Sequence, residues 1–192
     1  MAQDNGVRLL TGTFRAAFVN VFEARKAPGN DRPSFSLVAI FDKEDPALKP
    51  LKEAALQAVK KRWPDGPPAN LKKPFKDGAT KAQWDGFGPG KVFITMKTYQ
   101  RPGVVGPDRT PIVDASEFYS GCYARATVSA FADVHKVGGA YVSFFLNNLQ
   151  KVKDGAPFGR TNAENDFDAI EGAAPSGGAP APAPAAGDSL FE

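Results

Sequence analysis

Lys91-Val92-Phe93-Ile94-Thr95-Met96-Lys97-Thr98-Tyr99 alternates strictly. Successive side chains of a strand point to opposite faces, so Val92, Ile94, Met96 and Thr98 form one side of this segment and Lys91, Phe93, Thr95, Lys97 and Tyr99 the other. Phe118–Phe131 repeats the pattern. Its even positions, Phe118, Ser120, Cys122, Ala124, Ala126, Val128 and Ala130, are small or apolar. Its odd positions carry Tyr119, Tyr123, Arg125 and Phe131. Each strand therefore offers a core face and a face that mixes rings with cations. Further strands are expected over 13–22, with Phe14, Ala16, Phe18, Asn20 and Phe22 on one side, and over 34–41 and 140–153. Gly, Pro and Asp clusters separate them.

One helix is expected between the early and late strands. Asp45 can cap it, Pro46 suits its first position, and Leu48, Leu51, Ala55, Leu56, Val59 and Trp63 recur at helical spacing before Pro64 stops it. The fold class is thus mainly β: an OB-fold-like five-stranded Greek-key barrel with one helix, a β-sandwich being the alternative. Residues 64–90 are irregular and rich in Pro, Gly and Lys. A loop of that length in a compact domain is usually functional or mobile.

The charge is divided along the chain. All 24 Lys and Arg lie in residues 1–160 with 15 of the 21 Asp and Glu, which gives that part +9. Residues 161–192 hold the other six acids and no base, hence −6, around a stretch at 172–187 made only of Gly, Ala, Pro and Ser. The expected organisation is a folded domain over 1–160 and a disordered acidic tail over 161–192. A basic body suggests a polyanion as partner.

The same composition excludes several chemistries. One Cys and one His, Cys122 and His135, leave no disulfide framework, Cys-based zinc site or two-His metal site. Cys122 reads as core packing and His135 as an exposed turn residue. No P-loop pattern is present, and Gly86-Phe87-Gly88-Pro89-Gly90 lacks a following helix. No apolar run approaches a membrane span and no signal peptide opens the chain, so a cytoplasmic location is expected. The carboxylates Asp42, Glu44 and Asp45 keep a metal-dependent nuclease or nucleotide-processing protein as the alternative.

Rings beside cations have a use. A ring stacks on any base, and a Lys or Arg next to it neutralises the linking phosphate. Each stacked base is worth about 1–3 kcal/mol. Single strands expose their bases, so such a face favours unpaired nucleic acid. The candidate DNA-binding residues are Lys91, Phe93, Lys97, Tyr99, Tyr119, Tyr123 and Arg125 on the strands. Lys72, Lys73, Lys76 and Trp84 join them from the loop. No catalytic residue, cofactor or metal is required. Exposed strand edges would allow a homodimer.

Three segments carry a resemblance. Tyr119-Ser120-Gly121-Cys122-Tyr123-Ala124-Arg125-Ala126, Asn147-Asn148-Leu149-Gln150-Lys151-Val152-Lys153-Asp154-Gly155 and Asp166-Phe167-Asp168 resemble a family of phage-encoded single-stranded DNA-binding proteins, formerly a domain of unknown function. The resemblance implies an OB fold and sequence-independent binding of single strands in phage DNA replication, recombination or repair, in the cytoplasm of a bacterial host. It implies no catalytic residues. The tail tip, Asp188-Ser189-Leu190-Phe191-Glu192, resembles the acidic ends of many such proteins. There the final residue is the Phe, whereas here Phe191 is penultimate. By that likeness Asp188, Leu190, Phe191 and Glu192 are the candidates for binding replication or recombination proteins, while the −6 tail competes with DNA for the body.

Overall fold

The computed structural model describes residues 7–26 and 32–159. Its elements are β1 (Val7–Leu10), β2 (Phe14–Arg25), β3 (Ser34–Asp42), α1 (Leu48–Arg62), β4 (Lys76–Asp77), a 3-10 turn (Gly78–Lys81), β5 (Lys91–Thr98), β6 (Gly103–Val105), β7 (Tyr123–His135) and β8 (Gly139–Lys153). The chain is mainly β with one helix, as its alternating segments require. The tail candidates Asp188, Leu190, Phe191 and Glu192 lie outside the described residues, as does the whole of 161–192.

The strands form one sheet in the order β1-β7-β2-β3-β5-β8-β6, with β4 paired to β5. A further antiparallel pairing joins β7 to β8. The pairings β7–β2–β3–β5–β8–β7 therefore return to their start, while β1, β4 and β6 hang outside that ring. The expected OB-fold-like five-stranded barrel is met only in part. The three extra strands have four, two and three residues, too few for alternation to show in sequence. β7 also starts later than expected, at Tyr123. Residues 118–122 form a turn in which Gly121 adopts φ 109° and donates to the Ala16 carbonyl.

Inside the ring lie Phe14, Ala16, Leu37, Ala39, Phe41, Ile94, Met96, Val128, Phe144 and Leu146. α1 packs chiefly on β7. The inward residues Ala124, Ala126 and Ala130 of that strand are small enough to let a helix approach. The helix buries Leu48, Leu51, Ala54, Ala55 and Ala58, while Leu56 is 59% exposed. Leu48, Leu51 and Ala55 of the expected stripe are buried and Val59 packs against the core, but Ala54 and Ala58 take the place of Leu56 because the opposing wall is also alanine. Asp45 does not cap α1; its Oδ1 accepts from the Ala47 N–H at 2.8 Å, in the turn before the helix.

β2 departs from simple alternation. Phe14 and Ala16 point inward, but so does Val21, and the pairing with β3 shifts between Ala17 and Asn20. Phe18, at φ 47°, sits in this bulge. It was expected on the same side as Phe14, which is buried; instead it is 36% exposed. A bulge inserts an unpaired residue and re-aims the side chains beyond it.

Candidate nucleic-acid interface

Residues paired in register share a face. One outward row can therefore be followed across the sheet: Lys153 opposes Tyr123, Tyr123 opposes Arg15, Arg15 opposes Ile40, Ile40 opposes Phe93, and Phe93 opposes Lys76. Lys153, Arg15 and Lys76 are its cations, with Tyr123 between the first two and the buried pair Ile40 and Phe93 between the last two. A second row reads Ala17, Val38, Thr95 and a third Asn20, Ser36, Lys97. The surface is apolar near Arg15 and polar near Lys97.

Arg15 organises the first row. Its Nε donates to the Gly121 carbonyl and its Nη2 to the Ala156 carbonyl, both at 2.9 Å. Its guanidinium lies 4.7 Å from the ring centre of Phe158 and 5.1 Å from that of Tyr123. Lys153 Nζ is 4.7 Å from the Tyr123 ring. Beside them opens a cavity of about 360 Å³ lined by Arg15, Asp42, Lys91, Tyr123 and Lys153 among others. Lys91 Nζ meets Asp42 Oδ1 at 2.5 Å. Three cations, the carboxylates of Asp42 and Asp45, and the rings of Phe14, Phe41 and Tyr123 thus line a single hollow.

A second cavity, of about 290 Å³, lies between the β2 bulge and the loop before β5, with Ala17, Phe18, Trp84, Phe87 and Phe158 in its lining. Trp84 is 51% exposed and meets Phe18 edge-on at 5.5 Å. Lys81 Nζ is 4.9 Å from the Phe18 ring centre. Phe18 keeps a backbone conformation that costs a non-Gly residue about 1–3 kcal/mol; here that strain turns a ring outward beside a cation.

The sequence candidates divide. Lys91 and Tyr123 meet at the first cavity, and Trp84 lines the second. Lys76 is exposed at the end of the first row. Lys97 is exposed and Tyr99 is 45% exposed at the far end of β5, with the Arg32 guanidinium 4.4 Å from the Tyr99 ring. Phe93 was expected to present its ring, but it is only 2% exposed. Phe87 covers it edge-on at 5.3 Å, so it is a floor rather than a platform. Tyr119 is turned against the core, its hydroxyl 2.8 Å from Asp154 Oδ1 and 3.0 Å from the Gly155 carbonyl. Burial, then the bond to Asp154, raises its pKa. Arg125 is exposed on β7 next to Tyr123, with its Nε donating to Gln150 Oε1 at 2.8 Å. It faces β8, around the sheet from Lys91 and Lys97. Lys72 and Lys73 are exposed; the Lys72 backbone bonds Ala140 and Val142 at the start of β8.

Arg15, Phe18, Lys153 and Phe158 were missed as site residues, while Lys81 and Phe87 lie in the loop whose alternating basic and aromatic residues the sequence displays. Phe18 was grouped with Phe14 on one face of its strand, Arg15 and Lys153 lie on expected strands without a ring beside them in the alternating pattern, and Phe158 follows the last strand. Cys122 is buried, and His135 is an exposed turn residue whose Nδ1 accepts from Gly138 N–H at 3.0 Å. Of the nuclease carboxylates, Asp42 pairs with Lys91, Asp45 accepts from the Ala47 N–H, and Glu44 is exposed. Among the described residues no three His, Cys, Asp or Glu side chains gather as metal ligands, and no helix is long and apolar enough to cross a membrane.

Comparison with known proteins gives a consistent result. The family model described as the ssDNA-binding protein of Enterobacter phage Enc34 matches residues 7–176. The solved single-stranded DNA-binding protein of bacteriophage Enc34, in complex with ssDNA, is similar in fold at a TM-score of 0.68 and 20% identity, over 83% of this chain and 96% of that one. The same phage protein in a second structure gives 0.66 at 20% identity, over 88% and 97%. Gp2.5, a single-stranded DNA-binding protein encoded by bacteriophage T7, gives 0.57 at 16% identity, over 88% and 98%. No curated protein matches the sequence.

Proposed function

This chain belongs to the family of the Enterobacter phage Enc34 single-stranded DNA-binding protein, and from that premise we propose that it binds single-stranded DNA without sequence preference on the outward face of β2, β3 and β5. The observation that carries the reading is the row Lys153–Tyr123–Arg15–Ile40–Phe93–Lys76, opening onto two cavities rimmed by Lys91, Phe18 and Trp84. Cations there meet phosphates, and the exposed rings meet bases through their faces, which all four bases share. The closed run of five strand pairings supports reading the domain as an OB-type barrel with three short additions.

The finer role is the protection and organisation of single strands during phage DNA replication, recombination or repair in the bacterial cytoplasm. Residues 1–160 are the DNA-binding body and 161–192 the acidic tail. The tail competes with DNA for the basic body at the high effective concentration of a tethered segment. Once displaced, it recruits replication or recombination proteins through Asp188, Leu190, Phe191 and Glu192. β1, paired on one side only among the described residues, offers an edge for a homodimer, which sedimentation would detect.

Trp84 supplies the assay. Titrating oligo-dT into the protein should quench its fluorescence, and the affinity should fall as salt rises because counterions are released. Failure to bind at low salt, or equal affinity for duplex, would overturn the reading.

A further inference from the structure

We propose that the bound strand runs past Lys97 onto a second stacking platform, the outward face of β7 and β8, where Phe131, Tyr141 and Phe145 receive further bases. This rests on the single-stranded DNA reading above and extends it to a surface that lies outside both cavities.

The platform follows from alternation. Ala140, Val142, Phe144 and Leu146 of β8 are buried inward, so Tyr141, Ser143 and Phe145 face out; Ala130 is buried in β7, so Phe131 faces out. The three outward rings are half-buried. Phe131 lies 4.4 Å from Phe145 with 30° between the planes, and 5.8 Å from Tyr141, edge-on. They form one contiguous apolar patch on a surface open to water.

Each β8 ring has a cation beside it. Lys97 is in parallel register with Phe145, and Lys72 with Tyr141. Both lysines are exposed, and the backbone of each lies one strand spacing, about 4.8 Å, from that of its ring residue. Tyr141 and Phe145 are four residues apart, about 13 Å along the strand. The repeat of ring plus cation matches a ligand that repeats base plus phosphate.

Two observations favour a nucleic acid strand over a protein here. Lys97 and Lys72 stand beside the rings, and the acid that faces Tyr141 from β7, Asp133, has the Arg62 guanidinium 3.9 Å away. The patch is also continuous with the cleft, since Lys97 belongs to the row Asn20–Ser36–Lys97 on one side and borders Phe145 on the other.

The consequence is a dependence on strand length. A short oligo-dT of about five nucleotides would fill the cleft alone, whereas one of about fifteen would reach the platform; both fall in the range held by one OB fold. The test uses the full chain and the variant Tyr141→Leu/Phe145→Leu, which keeps apolar bulk and removes two rings. The variant should bind the long oligo about tenfold or more weakly and the short one as the wild type does. Unchanged affinity for the long oligo, or equal loss for both, overturns the platform while leaving the cleft reading intact. A wild type that binds neither oligo overturns both. A second measurement is independent of the variant: photocrosslinking a long oligo carrying 5-iodouracil should label the peptide containing Tyr141 and Phe145. Labelling confined to Phe18 and Trp84 overturns the proposal.

Discussion

Asp42 and Lys91 face one another across two neighbouring strands at the mouth of the first cavity. An exposed pair of this kind contributes about 0–1 kcal/mol to stability, so its interest lies in binding. A phosphate entering the cavity competes with Asp42 for Lys91. Asp42→Asn should therefore tighten oligo-dT binding a few-fold at low salt and barely move the unfolding midpoint, as paired fluorescence and urea titrations would show. Asp154 is different, because it joins Lys151 at 2.7 Å and the Tyr119 hydroxyl. The bonds from Lys151 and then Tyr119 hold its pKa below the usual 3.8. The lowered value means that its contribution is complete above the ordinary carboxylate value and is lost as pH falls through the lower one. Asp154→Asn should flatten the acid limb of the stability curve below about pH 4; an acid limb that stays as steep in the variant would contradict this. At this scale the sequence was a fair guide to types and a poor one to neighbours. Lys91 and Tyr123 were legible because each sits on a regular strand. Arg15 was not, because nothing in Thr13–Ala17 announces that its guanidinium reaches the carbonyls of Gly121 and Ala156.

The elements divide by regularity. β5 follows strict alternation, so its faces could be read directly, and β8 alternates from Ala140 to Leu146 before its register shifts; the twisted faces of β2 and the helix could not be read. Leu56 faces water and Ala54 faces the core because the wall opposite α1 is built of alanine, a fact held in β7 and not in the helix. The turn into β7 is equally hidden. Gly121 passes so close to the segment after β8 that a Cβ there would lie 2.2 Å from the Ala156 carbonyl oxygen, and its φ is one that other residues rarely adopt. Gly121→Ala should cost about 1–3 kcal/mol and loosen the Arg15 bracket, lowering the urea midpoint and the oligo-dT affinity together. An unaltered midpoint would show that the two segments can part without penalty.

For the molecule as a whole, the dominant quantity is the division between a +9 body and a −6 tail. If the tail is an internal competitor, removing 161–192 should tighten oligo-dT binding and steepen its fall with salt. Equal affinity and slope in the shortened chain would remove the tail from the mechanism. All five strands of the closed ring were visible in the sequence, and the three short ones were not, since two to four residues carry no period.

The slip in β2 carries a last implication. It lets one strand serve two masters: the frame before it packs Phe14 and Ala16, the frame after it packs Val21, and the ring between is released to the outside. A chain shortened by Val19 would put Phe18 and Val21 in the same frame as Phe14 and Ala16, up to the second shift that follows Asn20. The ring would then leave the outer surface while the row through Arg15 stayed in place.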